Sequence, residues 1–265
     1  MYLVDETFLD NLLSKALHSH HHDYTKSIRM TSKENDLYTS ILETINKQMK
    51  TADDWLKTKE AEQYFYEQTQ LKANFFNDIE NEMSTILNTD AKNYNDHFEK
   101  LYNAGATAGY KQLFQTPLWT EADKRAMFYV QNYGFDRIRN LSEECKTSVR
   151  EEIWRGVAEG ESMDKVARKI RDIPLTPLTN SSLSPSDRAR MIAITETSRA
   201  VNAGTIQSYS NYGLDQVDIL TVGEEACEEC ADLESQNPWP IQEATGLIPA
   251  HPLCRCTFAP HASVS

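Results

Sequence analysis

The sequence has few of the residues that interrupt helices, and its first hundred positions have none of them. Nine glycines and nine prolines occur among 265 residues, and the first of either type is Gly105. A segment without these residues has no local signal for tight turns, so the spacing of its apolar residues decides its structure. That spacing is helical, with apolar positions three or four residues apart and charged residues on the other faces. The sequence therefore predicts packed amphipathic helices across the N-terminal region.

Four apolar stripes carry this prediction, and each one corresponds to a helix face. The fourth stripe, which starts at Tyr94, is interpreted as the beginning of a separate helix. The stripes are Phe8, Leu9, Leu12, Leu13, Ala16 and Leu17; Leu37, Tyr38, Ile41, Leu42, Ile45 and Met49; Leu71, Phe75, Ile79, Met83 and Ile86; and Tyr94, Phe98, Leu101 and Tyr102.

Long apolar runs and basic residues are also scarce. No run of about eighteen apolar residues exists, so we expect no membrane span. The opening residues MYLVDETFLD place acids where a secretory signal has lysines, so we expect no signal peptide and synthesis in a reducing cytoplasm. The net charge is −13, and residues 201–265 contain nine acidic residues against Arg255 alone. Such a charge disfavours nonspecific binding to duplex DNA, because that binding depends on neutralising phosphates.

Polar residues that can cap helices mark the middle of the chain. Thr120, Ser142 and Ser162 each precede a helical pattern and supply the oxygen that an N-cap needs. The sequence therefore predicts three helix starts at these positions.

Prolines and glycines return in the last hundred residues and divide that region. Residues 172–187 are rich in Pro, Ser and Thr and are predicted to form a linker, which ends with Ser184 as an N-cap. The next helix is expected to end at Gly213. The β-branched segments 216–222 and 255–260 predict two short strands.

Cysteine is rare, yet four of the five cysteines lie close together near the C-terminus. Cys227 and Cys230 form a Cys-x-x-Cys pair, His251 and Cys254 repeat that spacing, and Cys256 follows. Zinc takes four tetrahedral Cys or His ligands, and pairs with this spacing present two of them at once. The sequence predicts a structural zinc site held by Cys227, Cys230, His251 and Cys254. In the main variant, Cys256 replaces His251 or Cys254.

Two other interpretations of these thiols stay open. They can form a disulfide after the protein leaves the cell, or they can line a core as inert thiols. A catalytic metal is disfavoured because the ligands are mostly thiolates and no general base stands beside an open position. Cys145, alone in its helix, is predicted to be a small buried side chain.

Signs of catalysis are missing elsewhere. The chain has no glycine-rich phosphate loop and no nucleophile elbow. Glu196 is interpreted as a buried glutamate that fixes its helix by pairing with Arg199 or Arg190. The histidine tract at positions 18 and 20–22 is interpreted as a solvated helix end with no role. We therefore expect that the protein is not an enzyme.

Three segments occur in a fixed order that resembles a known family. They are IWRGVAEGESMDKVARKI, then RARMIAITETSRAVNAGTIQSY, then CEEC followed by HPLCRC. Over about residues 100–260 the chain resembles the phage Mu F-like minor head proteins, also called phage head morphogenesis proteins. Ile194 departs from the family, which commonly has arginine there. The matching positions are Gly156, Gly160, Ser162, Ala193, Thr195, Glu196, Asn202, Cys227, Cys230, His251, Pro252, Cys254, Arg255 and Cys256.

This resemblance implies a structural role in a tailed bacteriophage. The protein would be a low-copy minor capsid protein inside the capsid or at the portal vertex, after assembly in the host cytoplasm. It would act in head morphogenesis and in packaging or ejecting DNA. Its implied partners are the portal protein and the major capsid or scaffold proteins, with no membrane partner.

An alternative function is an ADP-ribosyltransferase-like effector or toxin that acts on host proteins, because domains of this family occur fused to toxins. Such a transferase needs a glutamate near NAD, often in Glu-x-Glu. The pattern occurs at 60–62, 80–82 and 159–161, as often as chance gives in so acidic a chain.

The sequence as a whole predicts an α+β fold that is predominantly α-helical. A helical N-terminal region at 1–115 is followed by a Mu F-like domain at 116–265 with a small sheet. A Cys-rich loop at 227–256 lies between the two predicted strands.

Overall fold

Long helices make up most of the described chain. The computed structural model describes residues 29–58, 61–62, 74–177, 183–221 and 226–261. In these ranges seven α-helices and one three-stranded sheet occur, which confirms the predicted α+β, mostly helical fold. The helices are α1 Ser32–Trp55, α2 Asn74–Gln112, α3 Glu121–Ala158, α4 Met163–Asp172, α5 Pro185–Asn211, α6 Glu228–Ser235 and α7 Ile241–Ala244, with a 3-10 turn at Ile173–Leu175; the strands are β1 Gln216–Leu220, β2 Trp239–Pro240 and β3 Thr257–Pro260.

Some predictions fall on residues outside these ranges. They are the first apolar stripe and the histidine tract, both before residue 29, Leu71 of the third stripe, the linker positions 178–182 and position 222 of the first predicted strand. In the described part of the chain, no helix is both long enough and apolar enough to cross a bilayer.

Three of the predicted helix starts are confirmed by their capping bonds. The backbone N–H of Asp123 donates to Thr120 Oγ1 over 3.3 Å, and that of Lys165 donates to Ser162 Oγ over 3.3 Å. The hydroxyl of Ser184 accepts from the N–H of Asp187 over 3.1 Å. At the other end of α5, Gly213 has a φ of +73° and ends the helix as predicted.

Two predicted boundaries are wrong because the helices continue through them. The third apolar stripe from Phe75 onward and the whole fourth stripe belong to the single helix α2, which has no glycine or proline to divide it before Gly105. Ser142 lies inside α3, where it is buried. Its hydroxyl accepts from Gln48 Nε2 over 2.7 Å, so the oxygen that suggested a cap satisfies a buried amide instead.

The chain forms two compact units, each assembled from separated stretches of sequence. One unit comprises Asp36–Asn95 and Phe135–Arg190. Its core contains the predicted stripe of α1, in which Leu37, Ile41 and Ile45 are fully or almost fully buried. The other unit comprises Met1–Asn35, Asp96–Gly134 and Met191–Ser265. The predicted division at residues 115 and 116 stays a prediction.

The second unit contains the sheet, which has the strand order β2-β1-β3 with both pairings antiparallel. Val217 and Ile219 of β1 are buried against Tyr209 of α5 and Phe258 of β3. Both predicted strands exist in shortened form, and β2 is an addition that the sequence did not indicate. The segment that connects β1 to β3 contains four cysteines and one histidine, which are Cys227, Cys230, His251, Cys254 and Cys256.

Candidate metal centre

The Cys-x-x-Cys pair forms the start of helix α6. Cys227 is its N-cap residue, and its Sγ accepts a hydrogen bond from the backbone N–H of Cys230 over 3.4 Å. A thiol at an N-cap and a thiol in the first helical turn point to the same side, so this local structure brings two sulfur ligands together.

His251 joins this pair through its Nε2 atom. That nitrogen lies 3.1 Å from Cys227 Sγ and 3.1 Å from Cys230 Sγ. On the other side of the ring, Nδ1 lies 2.8 Å from the carbonyl oxygen of Pro252 and donates to it. In the neutral imidazole, a hydrogen bond from Nδ1–H to a backbone carbonyl leaves the Nε2 lone pair directed at the ligand position, which is the usual arrangement in metal-binding histidines.

Cys230 also belongs to a second group of ligand atoms. The sulfurs of Cys230, Cys254 and Cys256 lie within 4.8 Å of one another, and all three residues are buried. Cys230 Sγ and Cys254 Sγ are 3.8 Å apart. A tetrahedral site with Zn–S bonds of about 2.3 Å has an S···S edge of about 3.8 Å, so the spacing suits such a site. The two groups share Cys230, and together these five residues are the Cys/His cluster.

Hydrogen bonds between the residues of the cluster shift one another's pKa values. The hydrogen bond to Cys254, together with that to the Pro252 carbonyl, raises the pKa of His251 to about 9. Hydrogen bonds from Cys230, Cys256 and His251 lower the pKa of Cys254, whereas the same bond to Cys254 raises the pKa of Cys230. A metal ion bound by these residues would replace protons of the cluster thiols.

Helix α5 holds the segment 251–256, here called the knuckle, by two hydrogen bonds. Thr195 Oγ1 accepts from the backbone N–H of Leu253 over 3.0 Å, and Leu253 has a φ of +67°. Asn202 Nδ2 donates to the carbonyl oxygen of Cys256 over 2.8 Å. These two side chains are seven residues apart and lie on one helix face, since seven residues make about two turns. The motif on α5 and the His-Pro-Leu-Cys-Arg-Cys motif, which are distant along the chain, are therefore in direct contact.

Glu196 contributes to the helix that carries these contacts. Its side chain is almost fully buried and accepts from Arg199 Nε over 3.0 Å. The Arg199 guanidinium in turn stacks on the Tyr133 ring, 4.6 Å from its centre. This carboxylate is paired and enclosed, as a structural glutamate should be.

The two glycines of the first motif lie in the other unit. A Cβ at Gly156 would overlap the Val166 side chain, so glycine allows close packing between α3 and α4. Gly160 has a φ of +65° in the turn between those helices, where Glu161 N–H donates to the Gly156 carbonyl over 2.8 Å. Cys145 is fully buried, and burial raises the pKa of its thiol to about 12. None of these residues is brought to the Cys/His cluster.

Arg255 has a contact that sequence reasoning missed. One of its terminal guanidinium nitrogens donates to Glu34 Oε2 over 2.8 Å and to the carbonyl oxygen of Arg29 over 3.1 Å. Glu34 lies 221 positions earlier in the chain, so no local pattern links the two residues. The only available signal was that Arg255 is the single basic residue of an acidic segment.

Removing either hydrogen bond from α5 is expected to weaken metal binding. Thr195→Val and Asn202→Ala free the backbone of the knuckle, and changes to such supporting groups typically lower metal affinity about 10–100-fold. The measurement is competition with a chromogenic chelator. Ser208→Ala is the control, because it removes a buried hydroxyl of the same helix that donates to the Thr205 carbonyl oxygen and not to the knuckle. Equal affinities in all variants would contradict the supporting role.

The helical scaffold, the small sheet and the knuckle define an α+β domain closed by a Cys/His cluster that can hold a metal ion. Residues 147–259 match the family described as Phage Mu protein F like protein, which confirms the resemblance to the phage Mu F-like family over that segment. A second family, described as Spore germination protein GerPC, matches residues 46–170, and neither the motifs nor the fold explain that match. No curated protein and no solved structure matches the chain.

Proposed function

We propose that the protein is a structural minor head protein of a tailed bacteriophage. It is present in few copies near the portal and acts in head morphogenesis, with a part in packaging or ejecting DNA. The match of residues 147–259 to the phage Mu F-like family carries this proposal. The position in the virion, inside the capsid or at the portal vertex, is part of the proposal.

Zinc is the metal that we propose for the Cys/His cluster. Thiolate and imidazole ligands select zinc over magnesium or calcium, which prefer oxygen ligands. The 3.8 Å sulfur spacing and the His251 ring, held by the Pro252 carbonyl, support this choice. When bound, the ion would hold residues 227–256 together, and the thiol-rich ligand set assigns it a structural role.

Proteins rather than DNA are the proposed partners. The net charge is −13, and residues 201–265 contribute strongly to it. An acidic surface repels packaged DNA but is compatible with docking on other head proteins. The portal protein and the major capsid or scaffold proteins are therefore the proposed neighbours.

We also propose that the protein is not an enzyme. The one enclosed carboxylate of the motif, Glu196, is engaged by Arg199 and serves the helix. The alternative, an ADP-ribosyltransferase-like effector, needs a glutamate that can reach bound NAD.

Mass spectrometry of purified virions tests the proposed function. We expect the chain in virions that encode it, at a copy number far below that of the major capsid protein. A phage that lacks the gene is expected to make defective heads, and supplying the gene in trans is expected to restore them. Normal, infectious virions from which the protein is absent would contradict the proposal.

A further inference from the structure

Large apolar side chains are exposed on one short stretch of the chain, the loop between α2 and α3 and the turns of α3 that follow it. In the described part of the chain, five of the eight large apolar side chains that are exposed lie in this stretch. They are Phe114, Leu118, Trp119, Phe128 and Tyr129. Single exposed apolar residues are ordinary, whereas a group of them marks an interaction surface.

Phe114 occupies a backbone position that favours glycine. Helix α2 ends in a Schellman motif, in which Phe114 N–H donates to the Lys111 carbonyl over 3.1 Å and Gln115 N–H donates to the Tyr110 carbonyl over 2.9 Å. Phe114 has a φ of +55°, at which any residue with a Cβ is strained. Its side chain is 96% exposed, so it gains no burial in return. The fold gives no reason for phenylalanine here, whereas a binding function does.

Hydrogen bonds from the C-terminal end of α5 fix the backbone of this loop. Tyr212 Oη donates to the Thr116 carbonyl over 2.9 Å, and Asn211 Nδ2 donates to the Leu118 carbonyl over 3.2 Å. All four residues belong to one compact unit. A surface whose backbone is fixed before binding loses less conformational entropy when a partner docks on it.

The exposed charged residues of this stretch are mostly basic. Lys111 at the end of α2 and Lys124 and Arg125 near the start of α3 are exposed, against one exposed acid, Glu121. Glu121 accepts from Lys124 over 2.7 Å, so its charge is compensated. The chain as a whole has a net charge of −13, so this surface differs in sign from the rest. Basic groups around apolar side chains are complementary to an acidic partner that also presents apolar side chains.

We propose that residues 111–129 form a docking surface for an acidic segment of another head protein. The segment would place apolar side chains on Phe114 and Trp119 and carboxylates beside Lys111 and Arg125. This inference rests on the proposed function, because it gives the chemistry of a neighbour in the phage head. Aromatic anchors surrounded by polar groups are the usual organisation of a protein interface.

Single-stranded DNA also binds to aromatic and basic surfaces, but it fits this one less well. Three exposed basic side chains, one of them paired with an acid, can neutralise few phosphates. The net charge of −13 repels the rest of such a strand. The charges therefore favour an acidic protein segment.

Phe114→Gly tests the docking surface without damaging the fold. Glycine relieves the backbone at this φ, so the variant should melt at or above the temperature of the original chain. The gene is supplied in trans to a phage that lacks it, and incorporation into virions is measured by mass spectrometry against the major capsid protein. The variant should be incorporated about tenfold less than the original chain, because loss of an aromatic anchor usually costs at least that much in affinity.

Leu175→Ala is the matched control for this experiment. Leu175 is an apolar residue of the other unit that is 75% exposed, so its variant should be incorporated like the original chain. Incorporation of Phe114→Gly at the original level, or an equal loss with Leu175→Ala, overturns this inference alone. Virions that lack even the original chain overturn the proposed function as well.

Charge reversal tests whether the partner is acidic. Arg125→Glu should reduce incorporation as Phe114→Gly does, because it places a carboxylate opposite the carboxylates of the partner. Lys100→Glu makes the same charge change at an exposed position of α2 outside the surface and should have no effect. Equal incorporation of the two charge variants overturns the inference.

Two measurements on the purified full chain test the other occupants. Fluorescence anisotropy with a labelled oligothymidine is expected to show no binding, and sedimentation is expected to give the same mass for the original chain and Phe114→Gly. DNA binding that Phe114→Gly abolishes assigns the surface to single-stranded DNA. A dimer that the same variant dissociates assigns the surface to a second copy of the chain. Either result overturns the inference.

Discussion

Protein purified under reducing conditions is expected to contain about one zinc ion per chain, and Cys230→Ser is expected to contain almost none. Cys230 is the only residue common to both groups of ligand atoms, so its loss disrupts every four-ligand set that contains either group. Structural zinc contributes about 10 kcal/mol or more to the folding of small zinc domains. The variant should therefore lose amide protection across 226–261, measured by hydrogen exchange, together with its metal, measured by elemental analysis.

Cys145→Ala is the control for this experiment. Its thiol is also buried, but it lies in the other unit and outside the cluster. This variant should keep its zinc even though it loses some core packing. The same experiment separates the ligand sets, because Cys256→Ser should keep zinc if His251 and Cys254 complete the site. A folded, reduced protein without metal, or Cys230→Ser with full zinc content, would contradict the proposed centre and leave a disulfide or inert thiols as the interpretation.

The proximity of the cluster residues was predictable because zinc chemistry restricts both residue type and spacing. The spacing of Cys227, Cys230, His251 and Cys254 predicts that these residues lie close together, whatever structure the intervening chain has. The reason is that the ligands of one metal ion must converge on one point. The sharing of Cys230 between two groups was not predictable, because it depends on how α6 and the knuckle pack. The same holds for Arg255 and Glu34, whose pairing joins opposite ends of the chain.

Helix content followed from apolar periodicity, but helix boundaries did not. The predicted helix starts at Thr120, Ser162 and Ser184 are confirmed, because each side-chain oxygen accepts a capping hydrogen bond at the start of a helix. At Ser142 the same oxygen serves a buried glutamine, because tertiary packing placed Gln48 beside it. A local pattern states what a side chain can do, and only the packing decides which partner it finds.

Glycine was interpreted from sequence as punctuation, yet Gly105 and Gly204, like Gly156, allow close packing inside helices. Gly105 of α2 and Gly204 of α5 lie where these helices approach closely within one unit. A Cβ at Gly105 would lie 2.7 Å from the Val201 carbonyl carbon, and a Cβ at Gly204 would lie 2.7 Å from the Ala106 backbone nitrogen. Both neighbours are backbone atoms, which no rotamer change can move. The Thr205 hydroxyl bonds to the Gly105 carbonyl, which keeps the helices at this distance.

Gly105→Ala and Gly204→Ala are therefore expected to destabilise the fold strongly. Helix propensity alone predicts the opposite sign, a gain of about 1 kcal/mol for each substitution. Overpacking typically costs about 1–3 kcal/mol, and contacts to backbone place these sites at or above the upper end of that range. Each kcal/mol lowers the melting temperature of a chain near this size by roughly 2–4 °C.

Thermal and urea unfolding measure this effect against Gly213→Ala, which isolates backbone strain from crowding. Gly213 has a φ of +73° but open space around it, so alanine there should cost only about 1–2 kcal/mol. The order of stability is expected to be the original chain, then Gly213→Ala, then the two helix variants. If Gly105→Ala melts at or above the temperature of the original chain, α2 and α5 do not pack as closely as the structure shows. Because α5 also carries Thr195 and Asn202, its hydrogen bonds to the knuckle would then depend on the separate metal-affinity test of those two residues.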